Sequence, residues 1–204
     1  MTKARTLPPL PFFVSPDDPP SKREILIAAL SLFAERGLDG VTVRDIAARS
    51  GYTNPAIFKF FAGRDELAEH LFVECYRELS KRFSATTHQD RNFRQNLRVL
   101  LVEFSSVLDH ELDAFLFVTD NVRRLWPRVS SRLRGASLLG IVMRLIERGR
   151  NEGEIPQAIE PRLLVAGVAG TLSQVARLVY FGEFGGSSTA RIDGLELLIT
   201  KMCS

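Results

Sequence analysis

Residues 42–61 read TVRDIAARSGYTNPAIFKFF. Their spacing describes two short helices that meet at a sharp corner. Thr42 is placed to cap the first helix, with Asp45 three residues on at the positive end of its dipole. Ile46 turns inward, and the methyl of Ala47 lets a second helix cross close by. Gly51 falls where the chain must adopt a positive φ without a Cβ penalty. Thr53 caps the second helix, Pro55 occupies its first turn, where a missing N–H costs nothing, and Ile57 turns inward. A small residue, a glycine four later and an aliphatic six after that make the helix-turn-helix spacing. The second helix of such a unit lies in the DNA major groove. An ordinary αα-hairpin also needs a glycine and an inward aliphatic, so the surroundings must decide.

Upstream, Ser21-Lys22-Arg23-Glu24 has the form of a capping box. Ile25, Ala28, Ala29, Leu32 and Phe33 then recur at helical spacing until Gly37. Three helices, about 22–36, 43–50 and 54–60, are predicted to form a head over residues 21–66. Residues 1–20 hold six of the ten prolines and are expected to be a disordered arm.

With these residues in place, positions 23–67 resemble the DNA-binding head of the tetracycline-repressor (TetR) family. The resemblance is carried by Ile25-Leu26, Ala28-Ala29, Leu32-Phe33, Gly37, Thr42-Val43, Ile46-Ala47, Gly51, Ile57-Phe58, Phe61 and Glu66-Leu67. It implies Arg44 as a reader of guanine, Asn54 as a hydrogen-bonding reader, and Pro55 and Ala56 as contacts to thymine methyls. Thr42, Thr53, Lys59 and Arg64 suit phosphates. Phe58 stands where the family usually has a tyrosine whose hydroxyl reaches a phosphate. Phe58 cannot make that bond. Tyr52 stands where a small or aliphatic residue is commoner, and Arg64 replaces the usual lysine. The implied protein is a homodimeric repressor of a palindromic operator in double-stranded DNA, released by a small-molecule inducer. A co-regulator of the same fold that no longer reads DNA is the alternative, and Phe58 is its motive.

Beyond Arg64 every periodic stretch is helical, so the fold class is all-α with about nine helices, residues 67–204 forming a regulatory and dimerisation domain. Leu67, Leu71, Cys75, Leu79 and Phe83 step by four along one long helix. Asn92 with Gln95 opens the next, and shorter helices are expected around 112–122 and 126–133 before a long one over 134–151. Residues 161–181 are apolar nearly all round, as expected of a helix buried on two sides. Gly167 and Gly170 inside it each cost about 1 kcal/mol against alanine, which close approach of another helix would offset. Leu195, Leu198 and Ile199 of the last helix complete the expected dimer interface, and the resemblance points the same way. If the family pattern holds, helices over about 65–150 enclose the inducer pocket. Its candidate wall is Phe83, Phe104, Phe115, Phe117 and Trp126, with His110, Asn121 and Arg123 as polar partners, and its ligand is expected to be mainly apolar. Plain core presents the same aromatic pattern.

The 204 residues are 45% hydrophobic and 25% charged, with net charge +3 and pI near 9.1. The basic excess does not lie in the head, where residues 21–66 carry seven Lys/Arg against six Asp/Glu. Bulk charge therefore says little, and placement must carry DNA binding. Cys75 and Cys203 imply no disulfide framework. No secretory signal is apparent, and the uncharged run Leu163 to Ala176 is too short and too polar to span a bilayer, so a cytoplasmic protein is expected. His70, His88 and His110 are scattered without metal-ligand spacing. His70 and Cys75 lie about 140° apart on one helix and do not face each other. There is no GxSxG, phosphate-binding loop or GxGxxG after a strand. No enzyme, metal or cofactor is expected.

Overall fold

The structure, a computed structural model, describes residues 10–135, 137–184 and 188–204, and every regular element among them is helical. The chain divides into two compact units, the first ending at Cys75 and the second running from Tyr76 to Ser204. α4 (Arg64–Ser84) starts in one unit and ends in the other.

In the first unit, α1 (Pro20–Arg36), α2 (Val43–Ser50) and α3 (Asn54–Phe58) pack on one another. Ile25, Leu26, Ala29, Leu32 and Phe33 of α1 are buried with Ile46, Ala47, Ile57 and Phe61. Two expectations need correction here. The helix begins at Pro20 rather than at a Ser21 cap, and no side chain caps it. Proline fixes φ at a helical value and lacks only an N–H that the first turn leaves unpaired, so it starts the helix ahead of the serine. Residues 10–19 are also not a disordered arm. They form turns, with Phe13 and Val14 buried and the Val14 N–H donated to Pro11 O at 3.0 Å. Residues 1–9, with Lys3 and Arg5, lie outside the described residues.

In the second unit, α5 (Phe93–His110) opens on a complete Asn92–Gln95 capping box. α6 (Leu112–Leu125) runs into a 3-10 turn, Trp126–Arg128. The long helix expected over 134–151 is two: α7 (Ser131–Gly135), then α8 (Leu138–Asn151), whose first turn is capped by the Ser137 hydroxyl. Serine competes for backbone N–H groups, and so it starts a new helix rather than continuing an old one. α8 ends against the loop to Ile155, where a Cβ on Gly149 would stand 2.7 Å from Ile155 Cδ1 and 3.0 Å from Phe93 Cδ2. Only glycine permits that approach. α9 (Pro161–Tyr180) packs on α6 and α8, and α10 (Ser188–Met202) packs mainly on α5. Two polar clamps hold α10 to α5. Arg98 pairs with Asp193 and Glu196, and Arg191 pairs with Asp109 at 2.9 Å while donating to Ser105 Oγ.

Candidate nucleic-acid interface and ligand cavity

The helix-turn-helix corner is built by local chemistry. The Asp45 backbone N–H donates to Thr42 Oγ1, and the Thr42 N–H and hydroxyl donate to the Asp45 carboxylate at 2.8 and 2.6 Å. Those bonds to Thr42 hold the Asp45 carboxyl below the usual carboxylate range. Gly51 then turns the chain at φ 74°, and its N–H donates to Ala47 O. Thr53 occupies the cap position of α3 but makes no side-chain cap bond, so its hydroxyl stays available to a partner.

Around this corner Thr42, Arg44, Thr53, Pro55, Phe58 and Lys59 are exposed, and Asn54 and Ala56 are half-buried. The Phe58 ring is 53% exposed, too open for a core residue. Several acidic side chains of the head are committed to particular cations. Arg49 pairs with Glu35 at 2.9 Å, Arg36 approaches Asp45 at 3.8 Å, and Lys22 holds Asp18 at 2.8 Å. Arg23, Arg44 and Lys59 make no ion pair among the described residues, and the last two flank the corner. The near-neutral head thus carries local positive charge on the motif. Arg64 differs from them. Its guanidinium pairs with Asp65 at 2.7 Å and donates to Val41 O, so it braces the head from within.

Residues 25–71 match the family model for bacterial regulatory proteins, tetR family. These residues carry the DNA-binding domain of that family. The HTH-type transcriptional repressor KstR2 of Mycobacterium tuberculosis is 29% identical to it over 109 residues, 52% of this chain and 54% of KstR2. The chain spans about half the length of the curated relatives it matches. The solved structure of the ketosteroid transcriptional regulator KstR2 of Mycobacterium tuberculosis has a TM-score of 0.77 at 20% identity, covering 94% of this chain and 98% of that one. The regulator FadR from Bacillus subtilis, in complex with stearoyl-CoA, has a TM-score of 0.67 at 19% identity, covering 88% and 97%. These likenesses show that the TetR fold extends over nearly the whole chain.

Within the second unit lies a cavity of about 590 Å³. Phe83, Phe104, Phe115, Trp126 and Arg123 are among the residues that line it. One expected wall residue, Phe117, and two expected polar partners, His110 and Asn121, do not. Phe117 is buried in the core, because two residues along a helix turn a side chain about 200° from Phe115. His110 is exposed at the end of α5 with its Nδ1 2.9 Å from Ser106 O, and Asn121 donates to Phe117 O at 2.9 Å. Tyr76 is a lining residue missed in the sequence, although it stands seven residues from Phe83 and shares its face. Leu138, Leu139, Ala169, Leu172 and Ser173 complete the wall from helices distant in sequence, which no local spacing reveals.

The expected dimer residues also divide. Leu195 and Ile199 are 4% and 1% exposed within the chain, so they are core. A Cβ on Gly167 would meet Met202 Cε at 2.8 Å, so this glycine admits α10 of its own chain. A Cβ on Gly170 would meet nothing within 4 Å, and Leu198 is 47% exposed. Leu163 of α9, Phe181 just past its end and Leu197 of α10 are exposed as well. Among the described helices α9 alone has the length and apolarity to cross a membrane, and only a third of that stretch is buried in the chain. Among the described residues no three potential metal ligands gather.

Proposed function

We propose that this protein is a homodimeric DNA-binding transcriptional regulator, a repressor released from a palindromic operator by a largely apolar ligand. The observation that carries the reading is the corner of α2 and α3, where Arg44 and Lys59 stand exposed and without counter-ions on a folded helix-turn-helix. Arg44 and Asn54 supply base readers, Pro55, Ala56 and Phe58 apolar contacts, and Thr42, Thr53 and Lys59 phosphate contacts. Phe58 replaces a phosphate bond with an apolar surface, which suits a thymine methyl or a deoxyribose edge. The open face of α9 and α10, with Leu163, Gly170, Phe181 and Leu198, suits a second copy of the chain. Two heads are needed because operator half-sites lie about one helical turn apart.

The cavity supports the ligand. Its size falls within the range of small-molecule sites, and its wall is mainly aromatic and aliphatic. One relative is named for ketosteroids and another is in complex with stearoyl-CoA, and both names describe compounds with a large apolar body. Burying such a body gains about 25 cal/mol per Å². To act as inducer, the ligand must prefer the conformation whose heads are mis-spaced for DNA. α4 is the candidate lever, since one helix carries Arg64 at its start and the cavity residues Tyr76 and Phe83 further on. The protein would act in the bacterial cytoplasm.

The test is a gel shift with genomic fragments, titrated with salt and repeated with apolar compounds that quench Trp126, the sole tryptophan. Sequence-selective binding that weakens with salt and with a quenching compound is expected. Binding to every fragment alike, or to none, would sink the reading.

A further inference from the structure

One stretch of the second unit carries only positive charge. Between Asp120 and Glu147 there is no acidic residue, and there are six arginines: Arg123, Arg124, Arg128, Arg132, Arg134 and Arg144. The net charge of the whole chain is +3, and without these six it would be −3. A solvated surface ordinarily mixes both signs. Arg123, Arg132, Arg134 and Arg144 are exposed and make no ion pair among the described residues.

Exposed apolar side chains lie among these cations. Val122 and Leu139 are 39% and 58% exposed although both line the cavity, so they stand at its mouth. Pro127, also a lining residue, is exposed, and Trp126 is half-buried. Arg123 follows Val122 and lines the same mouth. Arg144 reaches it from α8. A Cβ on Gly140 would stand 3.6 Å from an Arg144 guanidinium nitrogen and 3.0 Å from Oγ of the lining residue Ser137. Arg132 and Arg134 lie in α7, between the lining residues Pro127 and Ser137 in sequence. The mouth is thus an apolar rim set among unneutralised guanidinium groups.

We propose that this face docks on the surface of an anionic lipid bilayer, with the cavity mouth turned toward the membrane. The arginines fix the sign of the partner, and the apolar rim fixes its class. A nucleic-acid backbone or an acidic protein segment would answer the arginines and leave Val122, Pro127 and Leu139 in water. A bilayer surface answers both, because lipid phosphates meet the cations while the apolar side chains enter the boundary beneath them. Guanidinium groups match phosphate oxygens with paired donors and are less strongly hydrated than ammonium groups, and all the cations of this stretch are arginine. An apolar ligand then passes from bilayer to cavity without crossing water. That consequence alone rests on the reading of the cavity as a ligand site.

The full chain is sedimented with vesicles of phosphatidylcholine alone, or of phosphatidylcholine mixed equally with phosphatidylglycerol. At about 0.1 M salt binding to the mixed vesicles is expected to be at least about tenfold tighter. At about 1 M salt, where the screening length falls to about 3 Å, most of that advantage should vanish. The double variant Arg132→Gln/Arg134→Gln lies off the cavity wall, and it should lose about tenfold on mixed vesicles with its melting temperature unchanged. Arg44→Ala/Lys59→Ala removes exposed cations of the head and should bind the mixed vesicles as the wild type does. Mixed vesicles with brominated acyl chains should quench the emission of Trp126, the sole tryptophan, since the mouth faces those chains. Equal binding to both kinds of vesicle, or loss of binding in the head variant alone, would overturn the inference. Sedimentation without quenching would overturn it by turning the mouth away from the bilayer, and quenching without sedimentation by showing uptake of single lipids. So would polyglutamate or a random duplex held by the head variant as tightly as mixed vesicles, since the arginines would then take any polyanion. Operator binding and its release by apolar compounds are read separately by gel shift, and none of these outcomes touches them.

Discussion

The ring of Tyr76 meets the indole of Trp126 edge-on, with centroids 5.2 Å apart and planes 70° apart, while its hydroxyl accepts the Leu138 N–H at 3.1 Å. That N–H belongs to the first turn of α8, where no carbonyl of the helix can take it. One side chain thus joins α4 to the start of α8 at the cavity wall. Burial pushes the Tyr76 phenol above its ordinary pKa, only partly offset by the bond from Leu138, so the group stays neutral at physiological pH. Tyr76→Phe should cost about 0.5–1.5 kcal/mol in urea denaturation, with Trp126 emission little changed. Tyr76→Ala should shift that emission to the red, as water reaches the indole. An unshifted spectrum in the alanine variant would show that Tyr76 does not shield Trp126.

On the DNA face, Lys59→Ala should weaken binding to all sequences alike and lower the salt slope by about one. Arg44→Ala should instead relax specificity, costing about 1–3 kcal/mol at one base pair. Gel shifts on cognate and random duplexes separate the two. Equal losses from both variants on both duplexes would contradict this division of roles.

The same substitution at two glycines should have opposite consequences. Gly170→Leu places a side chain in space left empty by its own chain, so the fold should survive by circular dichroism. Sedimentation should then show a shift to monomer, with loss of operator binding. Gly149→Leu drives a Cβ against Ile155 and Phe93, and overpacking of this kind costs about 1–3 kcal/mol, so it should unfold at lower temperature. A Gly170→Leu dimer with full operator affinity would remove that face from the interface.

Asp109 provides a pH test of the α5–α10 clamp. Burial raises its carboxyl pKa, but hydrogen bonds from Ser188 and Arg191 and the charges of Arg191 and His110 outweigh it, and the net shift is downward. A carboxyl depressed in the folded state stabilises above its unfolded pKa, and that stability is lost as pH falls through the folded value. Asp109→Asn should therefore melt below the wild type at neutral pH, and the gap should narrow once pH falls below about 4. A gap constant with pH would mean that the carboxylate charge contributes nothing and that only packing was changed.

The sequence by itself determined the helix-turn-helix corner, because its parts act over three or four residues. Thr42 and Asp45 bond each other, and Gly51 supplies the positive φ whatever surrounds it. Where two local signals competed the spacing misled, as at Pro20, which starts α1 ahead of the Ser21 cap. Tertiary structure decided which of several apolar residues face inward. Leu195, Leu198 and Ile199 are equivalent as letters, yet α5 buries the first and last and leaves Leu198 open. Phe115 lines the cavity and Phe117 fills the core, although either would serve as an aromatic wall. Periodicity specifies a helix and its apolar faces. Which face meets a neighbour, a void or solvent depends on helices tens of residues away, because burial belongs to the packed chain and not to the segment.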